Sequence, residues 1–413
     1  MRPTPRLLPA LVFLCALLAA LTDCRSPKKN AEPAPAAIKG DPDRGKALVA
    51  QYECARCHLV EGIDPPAKDK QCTGCHHDIN AGTVKATPEQ ETRWKSKVAE
   101  LGDVPSLVAT GARLRREWIR GFLLHPHDLR PALRPTMPRL PLTEAQAADL
   151  AAFLSPGDDD ASASAAALLA GASAARGREL LDVKGCGLCH RMTGVADIRP
   201  ALLPTGVTVP DMARAIRLAP DLRYTRDRWR PSALVAWLVD PSKVKPDALM
   251  PVMGLTADEA KSVAAYLLQS PLGPEQPPAP PARLALLDRK VTYDEVAAKV
   301  FRKTCWHCHG EPDFERGDGG PGNSGGFGFK GRGLNLSDYA STFAGYLDDT
   351  GQRTSVFTPT ADGTPFVVAA MIARQREEAG EEGALRGMPL GLPSLPPEDI
   401  QLIDTWIAQG RPR

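Results

Sequence analysis

Four copies of one pentapeptide hold most of the chain's capacity for chemistry: Cys54-Ala-Arg-Cys57-His58, Cys72-Thr-Gly-Cys75-His76, Cys186-Gly-Leu-Cys189-His190 and Cys305-Trp-His-Cys308-His309. Thiols at i and i+3 lie on one side of a helical turn, where each can add to a haem vinyl group. The histidine that follows can then reach the iron. The spacing predicts four covalently bound c-type haems, with Cys54, Cys57, Cys72, Cys75, Cys186, Cys189, Cys305 and Cys308 as anchors and His58, His76, His190 and His309 as proximal ligands. Eight of the 10 cysteines are used in this way, and Cys15 and Cys24 fall in an N-terminal apolar segment, so no thiol remains for a disulfide or a nucleophile. Zinc is the competing reading, because residues 58–71 separate Cys54/Cys57 from Cys72/Cys75 at close to a zinc-ribbon spacing. A ribbon does not require a histidine after each pair, and the pairs at 186/189 and 305/308 have no second pair near them in sequence.

Three Met-Pro dipeptides form the next pattern. Met137-Pro138 and Met250-Pro251 each lie six residues before a capping threonine, Thr143 and Thr256, and Met388-Pro389 lies six before Ser394. A thioether on a Pro-braced loop can supply the sixth iron ligand, and His/Met ligation raises the reduction potential. Met253 competes with Met250, but it aligns with Leu140 and not with Met137; Met192 and Met212 have no counterparts and are expected to be packing residues.

These residues need helices to position them, and the pattern repeats. A helical segment leads into a pentapeptide, an irregular middle follows, then Met-Pro and an amphipathic closing helix. The leading segments begin at Asp43, Arg176 and Tyr293. Thr143-Glu-Ala-Gln146 and Thr256-Ala-Asp-Glu259 match capping boxes, and Ser394 is expected to open the third closing helix, which carries Ile400, Ile403, Trp406 and Ile407. The fold class is therefore all-α, with three tandem helical domains at 39–155, 175–270 and 283–413, joined by an Ala/Ser-rich linker (156–174) and a Pro-rich one (271–282). Aromatic residues are only 5% of the chain, thin for conventional cores, and a porphyrin in each domain would fill that gap; 40 Pro and 35 Gly fit loop-rich domains.

Each module resembles a class I c-type cytochrome domain. The resemblance rests on the pentapeptide after the first helix, on Trp118-Ile-Arg-Gly-Phe through Met137 and Trp237-Leu-Val-Asp-Pro through Met250, and on Gly387-Met-Pro with Ile403-Asp-Thr-Trp-Ile-Ala-Gln-Gly. It implies Met137, Met250 and Met388 as axial ligands. Pro105-Ser-Leu107, Trp118 and Met137 resemble the ordinary partners of the haem on His58. The third module is more divergent and carries a Gly-rich insertion.

The first module has two pentapeptides but one Met-Pro, so the iron at His76 needs another ligand or has none. His125-Pro-His127 stands where the second module has Asp240-Pro-Ser242, which makes His125 and His127 candidates for the distal position. His77 adjoins the proximal His76 and points along the same haem face, and His307 lies inside its own motif. A His/His haem would sit lower in potential than the His/Met haems and make the first module the point where electrons enter.

Residues 1–24 read as a signal peptide, with Arg2 and Arg6 before an apolar run at Leu7–Leu21 too short for a comfortable membrane span. Leu21-Thr22-Asp23-Cys24 resembles a lipoprotein box, although Asp23 departs from the usual small residue, and 25–38 reads as a tether. The expected location is the periplasm, free or membrane-attached through a lipidated Cys24. A net charge of +2 and the lack of a Lys/Arg run argue against nucleic acid as a partner. Arg113, Arg115, Arg116 and Arg120 are expected to contact haem propionates or a docked protein. Gly326-Phe-Gly-Phe-Lys-Gly331 matches a dinucleotide fingerprint, but without the flanking strand and helix it reads as a loop around the fourth haem.

The expected function is extracytoplasmic electron transfer between redox proteins, alone or as the cytochrome subunit of a larger oxidoreductase complex. The alternative is a peroxidase-like haem enzyme with an open iron at His76, for which no distal catalytic constellation stands out. Four copies of the motif argue against haem as a purely structural or sensory element.

Overall fold

Asp41 starts the first helix by accepting the amides of Asp43 and Arg44, with proline at the first helical position. The computed structural model describes residues 38–98, 102–134, 136–157, 161–199, 209–275, 277–313, 317, 319–381 and 383–413; the expected signal sequence, Cys24 and the tether up to residue 37 lie outside them. Residues Lys39–Arg413 cluster as one unit.

The first module contains α1 (Pro42–Gln51), α2 (Cys72–Ala81), α3 (Pro88–Val98), α4 (Thr110–Arg113), α5 (Arg116–Leu124) and α6 (Glu144–Leu154). The capping box of Thr143 and Gln146 opens α6 as its sequence predicts. Helices α1 and α6 cross at backbone contact: a Cβ at Gly45 would collide with the Asp149 carbonyl, and one at Gly40 with that of Ala148. Buried Asp149 fastens the crossing, accepting from the Asp41 amide at 2.7 Å and from Arg44 Nε at 2.8 Å.

The second module repeats this with α8 (Ala174–Val183) on α13 (Ala257–Gln269), where Gly177 meets the Ser262 carbonyl and Thr256 with Glu259 forms the expected capping box. Between α6 and α8 runs α7 (Ala161–Leu168), inside the segment expected to be a linker. Alanine is the strongest helix former, and Leu168, Leu169 and Ala172 pack on the second module's core. The module also holds α9 (Val209–Leu218), α10 (Thr225–Arg228), α11 (Pro231–Val239) and α12 (Pro241–Val244).

In the third module α14 (Tyr293–Val296) continues as a π-helix, Ala297–Cys305, straight into the fourth pentapeptide. After α15 (Tyr339–Phe343) and α16 (Phe366–Glu378), the closing α17 (Pro397–Ala408) does not start at Ser394. Its N-cap is Pro396, with no side-chain cap, because consecutive prolines preset the backbone for a first turn. Ser394 instead gives its amide and hydroxyl to Glu378, at 2.7 and 2.8 Å.

The all-α expectation holds at the level of fold class. The strands among the described residues are two-residue pairs in the third module, Gly325–Gly326 (β1) with Phe329–Lys330 (β2) and Tyr346–Leu347 (β3) with Arg353–Thr354 (β4). Positive φ at Gly325, Gly326, Phe327 and Gly328 lets the chain reverse that tightly. Among the described residues, buried apolar side chains fall into four clusters, on the α1–α6 crossing, on the α8–α13 crossing, in the third module around Trp406, and a small one, Ile79, Trp94 and Val98, between α2 and α3.

The modules also touch. Leu114 and Trp229 form an antiparallel bridge, flanked by Arg115 N–H to the Arg228 carbonyl (2.9 Å) and Arg230 N–H to the Arg113 carbonyl (2.8 Å). Both triplets precede the N-terminus of the corresponding helix, α5 or α11, so equivalent segments pair about a local pseudo-two-fold. Asp103 takes ion pairs from Arg214 (3.0 Å) and Arg217. Toward the third module, Arg134 donates to the Ser394 carbonyl (2.8 Å), Arg139 pairs with Glu377 (3.3 Å), and Arg386 donates to the Arg139 carbonyl.

Candidate functional site

Three pentapeptides are built alike. A tight turn returns the His58 amide to the Cys54 carbonyl (2.9 Å), the His190 amide to that of Cys186 (2.9 Å) and the His309 amide to that of Cys305 (3.0 Å). In each, the second cysteine also closes on the first carbonyl at 3.2 Å, which holds the two thiols on one turn. The second motif differs: Cys72–His76 opens α2 itself. None of the eight cysteines forms a disulfide.

Proline carbonyls orient two of the histidines. His58 Nδ1 lies 2.8 Å from the Pro105 oxygen, and His190 Nδ1 lies 2.8 Å from the Pro220 oxygen. Donation from Nδ1 fixes the tautomer and leaves Nε2 with a lone pair for a metal. Pro105 was legible in the sequence; Pro220 was missed, although Pro220-Asp-Leu222 repeats the Pro-x-Leu of Pro105-Ser-Leu107. His309 departs: no proline carbonyl holds its ring, whose backbone contact is with Leu334, and Gly322 abuts the ring so closely that a Cβ there would collide with it.

Burial lowers the ionisation of His58 and His190, opposed by the two proline carbonyls, and takes His309 down to about 4. Burial thus disfavours the charged form of all three rings, as suits a metal ligand. Burial also pushes the thiols of Cys54 and Cys186 up to about 11 and that of Cys305 to about 12, an environment that disfavours thiolate. Cys57 is raised first by the neighbouring thiol of Cys72, which brings the first two motifs together. Among the described residues no three His, Cys, Asp or Glu side chains converge to hold a metal ion.

Met137 packs on the first core and Met250 on the second, both half-buried. The Trp237 indole donates to Met250 Sδ at 3.0 Å, which distinguishes Met250 from Met253 on the same core. Met192 is buried in that core, as a packing residue should be. Met388 donates its amide to the Ala370 carbonyl (2.9 Å) and precedes a cis proline. Counting back from Pro126 and Pro241, the counterpart of Trp237 is Phe122, so Trp118 and Trp237 are not equivalent.

His125 and His127 are exposed at the end of α5. His127 Nδ1 is bonded to the His125 carbonyl (3.0 Å), and its ring lies between Phe122 (5.5 Å) and Tyr224 (5.4 Å), in the seam with the second module. His77 lies beside Gly102, and His307 meets the Trp306 ring edge-on.

The residue that sequence reasoning missed outright is Arg228. It occupies the place of Arg113, in Arg113-Leu-Arg115 against Arg228-Trp-Arg230. The Nε of each is buried and lacks a hydrogen-bond partner among the described residues. Burial lowers both guanidinium groups, Arg228 to about 10 with the charge of Arg113 contributing. Among the described residues no carboxylate is hydrogen-bonded to either guanidinium, although the charge of Asp247 acts on Arg113, and such a pair suits anionic oxygen.

No protein-family model matches this chain, and no curated protein or solved structure is detectably similar to it.

Proposed function

We propose that this protein is an extracytoplasmic tetrahaem c-type cytochrome, built from three class I cytochrome c-like modules, that passes electrons between redox proteins. The observation that carries the reading is the repeated pair of His58 on Pro105 and His190 on Pro220, each at the end of a two-thiol turn. It leaves an oriented Nε2 beside two cysteines whose surroundings disfavour the thiolate, the donor set that thioether attachment and axial ligation require. A haem held there supplies one-electron chemistry at iron.

The chain's own residues do the rest. Cys54/Cys57, Cys72/Cys75, Cys186/Cys189 and Cys305/Cys308 would anchor the four porphyrins, and His58, His76, His190 and His309 would bind the irons. Met137, Met250 and Met388 would complete three of them, and Arg113 with Arg228 would hold propionate carboxylates. The Trp237 indole donates to Met250 Sδ, and with haem held there it would draw density from the thioether and favour the reduced state. Periplasmic location and attachment through Cys24 belong to the same reading, as do redox proteins as partners.

Mass spectrometry of the mature holoprotein tests it. Four covalent haem increments with a sharp reduced α-band are expected, and an unmodified mass would end the proposal.

A further inference from the structure

The third module's Gly-rich insertion does not stay within its own module. At one end it wraps the fourth pentapeptide: Asn323 N–H donates to the Cys308 carbonyl at 3.1 Å, Gly320 lies against Cys308 and Gly322 against the His309 ring. At the other end its hairpin, β1–β2, sits on the first pentapeptide. Phe327 N–H donates to Glu53 Oε2 at 3.0 Å, and Gly328 approaches Tyr52 so closely that a Cβ would enter the ring.

Arg56, between the two cysteines of the first motif, is the joint. Its Nη1 reaches Glu53 at 3.4 Å, its guanidinium carbon lies 5.1 Å from the Phe327 ring centre, and its Nε donates to the Lys70 carbonyl at 3.1 Å, just before the second pentapeptide. Thr73 of that second motif in turn donates to the Cys57 carbonyl at 3.3 Å. Glu53 adopts a left-handed backbone (φ 52°), where the second module has Gly185 (φ 73°). A non-glycine residue there costs about 1–2 kcal/mol, and only a side chain can hold the hairpin. The Met-Pro loops meet as well, with Pro138 Cγ 3.2 Å from where a Cβ on Gly391 would stand.

We propose that the first pentapeptide is the junction of the relay, with Arg56, Glu53 and the Phe327 hairpin holding the second and fourth attachment sites against it, and the third site joined to it separately through the Leu114–Trp229 seam. The relay order then departs from chain order, because each intermodule contact named here has a first-module partner. Haem held at these sites would supply one-electron exchange between neighbours, one centre oxidised as the other is reduced, with no other reactant. This rests on the haem reading above.

The test uses the full-length holoprotein with Met388→His, which lowers the fourth centre's potential so that it stays ferric while the first titrates. A ferric neighbour keeps one more positive charge than a ferrous one. The midpoint of the centre at His58 is therefore expected to rise relative to wild type, and that at His190 to stay unchanged. A shift at His190 with none at His58, or no shift at either, overturns the proposal. Phe327→Ala, which leaves every ligand in place, is expected to slow electron equilibration between the first and fourth centres after a rapid reductant pulse; an unchanged rate counts against the hairpin. Absence of four haem increments in the mass would instead sink the underlying haem reading.

Discussion

Arg113 and Arg228 stand at equivalent places in the first two modules, near enough across the seam that the charge of one depresses ionisation of the other. Neither Nε has a hydrogen-bond partner among the described residues, and Arg228 also lies over the rings of Trp118 (5.8 Å) and Trp229 (5.6 Å). The charge of Asp247 reaches Arg113 and offsets part of the repulsion, and an anion bound between the two guanidinium groups would offset more. Arg228→Gln is therefore expected to move two observables in opposite directions. Without haem the variant should unfold at higher urea than wild type, through relief of repulsion. With haem the midpoint of the centre at His190 should fall, roughly 59 mV for a tenfold change in a one-electron equilibrium. A purely structural arginine would lower stability in both states and leave the midpoint alone.

The axial assignments predict separable spectra. Met137→Ala, Met250→Ala and Met388→Ala should each open one iron, giving one additional carbon monoxide-binding centre in the reduced protein. Trp237→Phe should keep the ligand but lower that centre's midpoint, because the 3.0 Å bond to Met250 Sδ is lost. Carbon monoxide binding by the unaltered protein, abolished by His76→Ala, would favour the peroxidase-like alternative and call for a peroxide turnover assay.

Helix crossing depends on glycine at two equivalent places. Gly45→Ala would drive a methyl group into the Asp149 carbonyl, and Gly177→Ala into that of Ser262. Overpacking of this kind costs about 1–3 kcal/mol. Urea unfolding of each variant should show a lower midpoint at unchanged slope, and wild-type stability in both would mean that the helices are farther apart.

Acid should loosen the first crossing only below the ordinary carboxylate range. The hydrogen bond from Arg44 holds the Asp149 carboxyl below its usual range, helped by the Asp41 amide. A depressed carboxylate contributes stability that is complete above its unfolded pKa of about 3.9 and is lost as pH falls through the folded value. Asp149→Asn should remove this contribution, on the order of 1–2 kcal/mol at pH 7, with the difference from wild type shrinking toward pH 3. Thermal melts across that range measure it.

Local signals were read well. The capping boxes at Thr143 and Thr256 and the leading helices depend on residues close in sequence, whereas Pro105 was singled out only through the resemblance, as a partner of the haem on His58, and stands 47 residues from it. Ser394 misled because two prolines start α17 without a cap and leave the serine to Glu378. Within the 156–174 segment the alanine run at Ala161–Leu168 is helical, because alanine is a strong helix former, and Leu168, Leu169 and Ala172 give it a core to join.

The sequence by itself determined which atoms can do chemistry, because thiol and imidazole spacing is covalent geometry over five residues. It also determined the helical class, through period and caps. Which sites adjoin which was decided only by the tertiary structure. Leu114 with Trp229, and Glu53 with Phe327, are pairs far apart in the chain, chosen by packing and by hydrogen bonds that satisfy backbone groups across modules. No local pattern encodes such a choice, because each partner gains its meaning only when the other is brought to it.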